Sequence, residues 1–304
     1  MTMKLVVRID DIGYTDINNM GSFLAIHEGV ATAADVMLDT PGTEDALRRL
    51  KECPWISVGW HTHFWGSPIL PADQVPSLIQ ENGHFKPDMY KQPDLNYDES
   101  FAELEAEVLR CQKILGRMPA YAATISGDNV FTKAINDVCD KYGIVRNFMT
   151  GIIGKEFMPE LSEEQRTMPA APEWLSRGIL CPPAPFAGCV FNDDLNEILK
   201  YGEASKNYYI NDPDGLFDRT DYQTIVTVWH PGYIDTYMIN EGEPGDFARH
   251  FDSVRYQDIN TLCSEDFKNW IREKEIELVS FTDAMYGRRD YQNHLIEAGS
   301  PLAI

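Results

Sequence analysis

Leu5-Val6-Val7-Arg8-Ile9-Asp10-Asp11, residues 5–11, decides how this chain is read. Residues 4–9 make an apolar run of strand length, and it stops on two adjacent carboxylates. Like charges this close raise one another's pKa and resist burial, so an acidic pair at a strand end implies a shared cation or proton. Residues 18–30 then carry Met20, Phe23, Leu24 and Ile26 ahead of Gly29, the spacing of a helix and its stop. A second strand over 31–38, a second helix over 43–53 and a third strand over 55–60, which delivers His61, follow. This βα alternation predicts an α/β chain, and a single barrel of this length is as compatible with it as two smaller domains.

Farther along, residues 66–96 are polar and rich in Pro and Gly, the composition of a functional loop at one rim. A helix comes next, with Phe101, Leu104, Val108, Cys111 and Leu115 on one face, Asn96 and Glu99 as a capping box, and Gly116 as its end. A strand is expected over 120–125, a helix capped by Asp128 and carrying Phe131, Ala134, Ile135, Val138 and Tyr142, and a strand over 143–148. Residues 149–188, with six prolines, read as an insertion or lid. A helix over 190–201, a strand over 224–229 ending at His230, a helix over 264–274 and a strand over 276–281 complete one domain, residues 1–304.

The formal charge of −22 and the pI near 4.6 argue against nucleic acid and anionic membranes as partners, since both need a basic surface. No run of about 18 apolar residues occurs, and the N-terminus enters a strand directly, which predicts a cytoplasmic protein. The six cysteines are scattered with no CxxC pair, as reduced structural thiols are.

The polar groups fall at strand ends, which in a βα barrel meet at one rim. Of the acidic pair, one carboxylate can ligate a metal while its neighbour takes a proton from water. In Gly59-Trp60-His61-Thr62-His63, His61 and His63 share one side of an extended segment and can serve one cation. Trp60 and Trp65 are core residues or sugar-facing aromatics. His230, in Trp229-His230-Pro231-Gly232-Tyr233-Ile234-Asp235, can protonate a leaving amine with Asp235 orienting it. Arg8 and Arg146 either bind substrate or pair structurally. There is no GxSxG, GxxxxGK[ST] or GxGxxG after the first strand, which removes the main support for serine hydrolase, P-loop and dinucleotide readings.

With Arg8-Ile9-Asp10-Asp11-Ile12-Gly13-Tyr14, Val58-Gly59-Trp60-His61, Pro68-Ile69-Leu70-Pro71 and His230-Pro231-Gly232-Tyr233 in this order, the chain resembles the YdjC-like carbohydrate deacetylases, which include chitooligosaccharide deacetylases. The resemblance implies a distorted TIM-type barrel that uses a divalent metal, Mg or Zn, to remove an N-acetyl group from a sugar. By motif position Asp10 is the base, Asp11 and His61 are ligands and His230 is the acid, with Trp60, Arg146 and Tyr233 expected at the substrate. Relatives also carry an Asp-x-His-x-His motif near residues 119–129, where this chain has no histidine. His63, Asp128 or water then completes the ligand set. The expected partner is a small carbohydrate, with a homodimer left open. Two other functions compete: a catalytically silent carbohydrate-binding barrel, and a barrel hydrolase acting on a phosphoester or glycoside.

Overall fold

The computed structural model describes residues 2–62, 64–87, 89–123, 129–147, 151–152, 167–168, 177–180, 201–213, 215–218, 223–241 and 246–304. The first half alternates as its patterning requires: β1 (Lys4–Ile12), α1 (Asp16–His27), β2 (Ala33–Met37), α2 (Thr43–Lys51), β3 (Ser57–His61), α3 (Tyr97–Leu115), β4 (Tyr121–Ala123), α4 (Val130–Tyr142) and β5 (Val145–Asn147). Short strands β6 (Gly151–Ile152), β7 (Thr167–Met168) and β8 (Ile179–Leu180) come next, then α5 (Tyr201–Asn211) and β9 (Thr224–Trp229). The chain continues through α6 (Thr236–Glu241), α7 (Asp246–Cys263), α8 (Glu265–Glu273), β10 (Glu277–Leu278), α9 (Phe281–Tyr286) and α10 (Asp290–Glu297).

The main sheet runs β5-β4-β3-β2-β1-β9-β8, with every pairing parallel, and β10 joins the N-terminal end of β1. A parallel sheet must bury both faces, and here each strand's alternation sorts its residues between two cores. Leu5, Val7, Ile9, Ala34, Val36, Val58, Trp60, Ala122, Ile225 and Trp229 enter the larger core beneath the helices. Val6, Ala33, Tyr121, Ile179, Val226 and Val228 share a second core with Phe281 and Met285 of α9. Strands from β4 to β8 can touch one helix only if the sheet curls around it. The Tyr121 and Phe281 rings meet at a tilt with centroids 4.3 Å apart, and Ser57 Oγ lies 2.8 Å from Thr282 Oγ1 beside them. The architecture is therefore a curled, all-parallel half-barrel. This curl is consistent with the distorted barrel expected from the sequence, and among the described residues β5 and β8 end the sheet without closing it into a ring.

Two boundaries differ from the expectation. β1 does not stop at Ile9 but runs through the acidic pair to Ile12, with a register shift against β2 between Ile9 and Ile12. The cap of α4 is Asn129, whose side chain accepts from the Thr132 amide, and not Asp128, which lies outside the described residues. Most of the 149–188 insertion and the 190–201 helix also lie outside them. The expected loop at 66–96 is held to α3 by carboxylates one turn apart: Glu103 accepts from the amides of Ile69 (2.6 Å) and Leu70 (2.9 Å), and Glu99 from that of Ser77 (2.7 Å). Asn96 caps α3 as anticipated, but Glu99 serves the loop in place of its half of the capping box. Cys53, Cys111 and Cys139 are buried free thiols, as the scattered spacing implied, and Cys263 is a half-buried one.

Candidate active site

Strand alternation puts Arg8 and Asp10 of β1, Asp35 of β2, Gly59 and His61 of β3, Tyr121 of β4 and His230 after β9 on the concave side of the sheet. A regular strand would send Asp11 to the opposite side. It does not, because Asp11 adopts a left-handed conformation (φ 62°) inside the register shift, and Gly13 follows at φ 98°. Left-handed backbone is costly for a residue with a Cβ. Here it lets two consecutive carboxylates reach one cluster.

Each carboxylate has its own cation. Arg8 donates to both oxygens of Asp10, Nε to Oδ1 at 2.8 Å and Nη2 to Oδ2 at 2.9 Å. Arg255 Nη2 of α7 lies 2.8 Å from Asp11 Oδ2, and His61 Nε2 lies 2.8 Å from Asp11 Oδ1. His230 Nε2 stands 3.9 Å from Asp10 Oδ2. Behind Asp10, Asp35 Oδ2 is 3.5 Å from Arg8 Nε, and the Tyr121 hydroxyl donates to Asp35 Oδ1. Gly59 makes room for that bond, since a Cβ there would sit 2.5 Å from both Asp35 Oδ1 and the Tyr121 ring.

All of these groups are buried, so their charge states follow from competition between desolvation and neighbours. Burial pushes Asp10 up, but Arg8, His61 and His230 overcome it and hold its pKa below the ordinary value. Burial is likewise outweighed at Asp11, where Arg255 and the His61 hydrogen bond keep the carboxyl well below that range. At Asp35 burial wins over Arg8, and the pKa rises to about 6. Burial would lower His61, yet Asp10 and Asp11 lift it above the usual imidazole value. Desolvation dominates at His230, taking it down to about 4.

Asp10, Asp35 and His61 each offer a donor atom within 4.8 Å of the others and could hold a metal ion. Asp10 and Asp35 in that group face Arg8, and Asp11 beside it faces Arg255; Asp11 Oδ1 and His61 Nε2 are 2.8 Å apart. Their 2.8 Å separation is close to the spacing of about 3 Å between adjacent donors around a small divalent ion. A buried carboxylate and imidazole at that spacing fit such a cation.

The structure thus brings Asp10, Asp11, His61 and His230 together, as the motifs suggested. His63 lies outside the described residues. Trp60 is fully buried in the outer core, its indole N–H donating to Glu107, and faces away from His61. Arg146 reaches Asp140 of α4 at 3.4 Å rather than the acidic cluster, and Tyr233 is exposed. Asp235 accepts from the amides of Tyr237 and Met238 at the start of α6 instead of orienting His230. Asp258 holds the His230 backbone instead, accepting from its amide at 2.7 Å. Arg255, Asp258 and Tyr121 were not anticipated. Asp35 carried a related signal, a single acid within the apolar strand Ala33–Met37.

Comparison with known proteins places this geometry in context. The chain is 26% identical over 290 residues to carbohydrate deacetylase 2 of Listeria innocua, covering 92% of this chain and 98% of that one. It is 23% identical over 295 residues to the chitooligosaccharide deacetylase of Proteus mirabilis, covering 93% and 99%. The crystal structure of a proposed cellobiose-phosphate cleavage protein from Enterococcus faecalis V583 has the same fold, with a TM-score of 0.62 and 21% identity over 93% of this chain and 99% of that one. No helix among the described residues is long and apolar enough to cross a membrane. Residues 4–273 match the model of the YdjC-like proteins, and the chain belongs to that family.

Proposed function

We propose that this protein is a carbohydrate deacetylase, a hydrolase that cleaves the amide of an N-acetylated sugar. The observation that carries the reading is the approach of His230 Nε2 to within 3.9 Å of Asp10 Oδ2, beside the 2.8 Å Asp11–His61 pair. Full-length likeness to proteins named for deacetylation favours it over a silent binding barrel. In this reading Asp11 and His61, with His63, hold a divalent ion, Mg or Zn. When bound, such an ion polarises the acetyl carbonyl and makes water easier to deprotonate.

The chain's own groups handle the protons. Asp10 is ionised at neutral pH and fixed by two hydrogen bonds from Arg8, so it can accept a proton from water without swinging away. His230 is neutral at that pH, and its Nε2 faces the Asp10 oxygen. It can therefore take up the proton that Asp10 gains and deliver it to the departing amine. Asp258 fixes the His230 backbone, and Arg255 fixes Asp11. The test is acetate release from N-acetylglucosamine oligomers by metal-loaded protein. Release that Asp10→Asn abolishes supports the reading; no release from a panel of acetylated sugars refutes it.

A further inference from the structure

Ser22 lies in the interior of α1, is fully buried, and has no part in the proton chemistry above. A serine within a helix ordinarily gives its one proton to the carbonyl four residues back. That carbonyl, of Asn18, is 3.5 Å from Ser22 Oγ, whereas the carbonyl of Pro231, 209 residues farther along the chain, is 2.7 Å away. The shorter contact has the length of a good O–H···O bond and the longer one lies at its limit, so the hydroxyl is committed to the turn after β9. Its neighbours meet the same turn through backbone. A Cβ on Gly21 would sit 2.8 Å from Gly232 Cα and 2.7 Å from Ile259 Cδ1, and one on Gly232 would overlap the Asn18 amide. Glycine is a poor choice for a helix interior, and this close approach is what requires it at position 21.

The turn that α1 touches carries His230. Its N–H donates to Asp258 Oδ2 at 2.7 Å, and the Pro231 carbonyl accepts from Ser22 at 2.7 Å. The first donor and the last acceptor of the His230-Pro231 pair are thus each taken by a buried side chain, one from α7 and the other from α1. Between these anchors Pro231 locks its own φ and disfavours helical backbone at the residue before it. Little freedom is left to the His230 backbone, and the direction of its Cα–Cβ bond is fixed with it. That direction is what brings the buried imidazole to Asp10, with Nε2 3.9 Å from Oδ2. Asp258 alone holds one end of the pair, about which the other can still pivot. Ser22 removes the pivot.

We propose that Ser22 is a positioning residue for His230: by holding the Pro231 carbonyl it aims the imidazole along the path by which the proton reaches the departing amine. The inference rests on the deacetylase reading for what His230 does, but not for how the ring is held.

Two measurements on metal-loaded protein separate this idea from that reading. The first is the carbon–proton NMR resonance of the His230 Cε1–H group, identified by its loss in His230→Gln, which needs neither substrate nor turnover. It should shift in Ser22→Ala. The second compares an amide with an activated ester. On tri-N-acetylchitotriose Ser22→Ala should lower kcat about tenfold with KM within about twofold, because the lost contact matters only when the proton is delivered. Gly21→Ala keeps the hydroxyl but pushes α1 off the turn, and it should give the same split. On 4-nitrophenyl acetate, whose leaving group departs as an anion and needs no proton, both variants should stay within about twofold of the parent. An unmoved His230 resonance in Ser22→Ala overturns the proposal. So does a loss of equal size on amide and ester, which marks a merely structural role. Absence of acetate release from the parent protein, with a His230 resonance that still responds to Ser22→Ala, defeats the deacetylase reading and leaves the positioning of the ring standing.

Discussion

Replacing Arg255 by Met removes the guanidinium that touches Asp11 and leaves the carboxylate buried. The two side chains are 1% and 2% exposed and 2.8 Å apart, so solvent screens their interaction little. Stripping one partner from such a pair costs about 3–5 kcal/mol, a large share of the roughly 5–15 kcal/mol that stabilises a typical domain. The pH dependence gives the argument a sharper edge. Arg255 and His61 hold the folded Asp11 pKa well below its ordinary value against burial. A depressed carboxyl pKa contributes stability that is present above the unfolded value, about 3.9, and lost as pH falls through the folded one. Without Arg255, desolvation moves the folded pKa of Asp11 upward. The penalty of Arg255→Met should therefore be smallest near pH 4 and grow toward pH 7, by at most about 1.4 kcal/mol per pH unit for one proton. Urea unfolding of both proteins in chelator, at about pH 4 and about pH 7, measures it. A loss below about 1 kcal/mol at neutral pH, or a loss equal at both pH values, refutes the reasoning.

Three further outcomes are expected. Glu103→Ala leaves the half-buried amides of Ile69 and Leu70 without their acceptor, at about 0.5–1.5 kcal/mol for each hydrogen bond, and should speed hydrogen exchange at 69–70; unchanged protection there would show that the loop does not hang from α3. Gly59→Ala forces a methyl to within 2.5 Å of the Tyr121 ring and Asp35, so urea unfolding should report a loss of about 1–3 kcal/mol, and full stability would mean that Asp35 and Tyr121 part easily. Chelation should abolish acetate release, and Mg or Zn should restore it in the parent but not in His61→Ala; activity that survives exhaustive chelation counts against the metal assignment.

Much of the fold was legible because β1, β2, β3 and β9 are apolar runs that end, or are interrupted, by charge. Period two also assigns Trp60 to the face opposite Gly59 and His61, so its place in the core could have been read from the strand itself. The helix that matters most for the site was overlooked although Phe247, Phe251, Val254, Ile259 and Leu262 have helical spacing. Arg255 and Asp258 interrupt that apolar stripe, and what identifies their roles is contact with Asp11 and the His230 amide, far away in sequence. The left-handed turn at Asp11 was hidden for a similar reason. Asp tolerates positive φ better than most residues, but nothing in the Asp10-Asp11 pair marks its second member for it, and the contacts of Arg255 and His61 with the Asp11 carboxylate become visible only in the fold. The distorted barrel was legible only as far as its βα alternation, because strand-length runs predict alternation, not how far a sheet bends.

Arg255 and Asp258 stand one helical turn apart on α7, and through them a single rigid body grips both sides of the reaction. When α7 shifts against the sheet, Asp11 and the His230 turn are carried in the same direction. The spacing between the Asp11 carboxylate and the turn that carries His230 is thus set by one helix, and a bend in α7 between these two residues would disturb it more than a displacement of the whole helix.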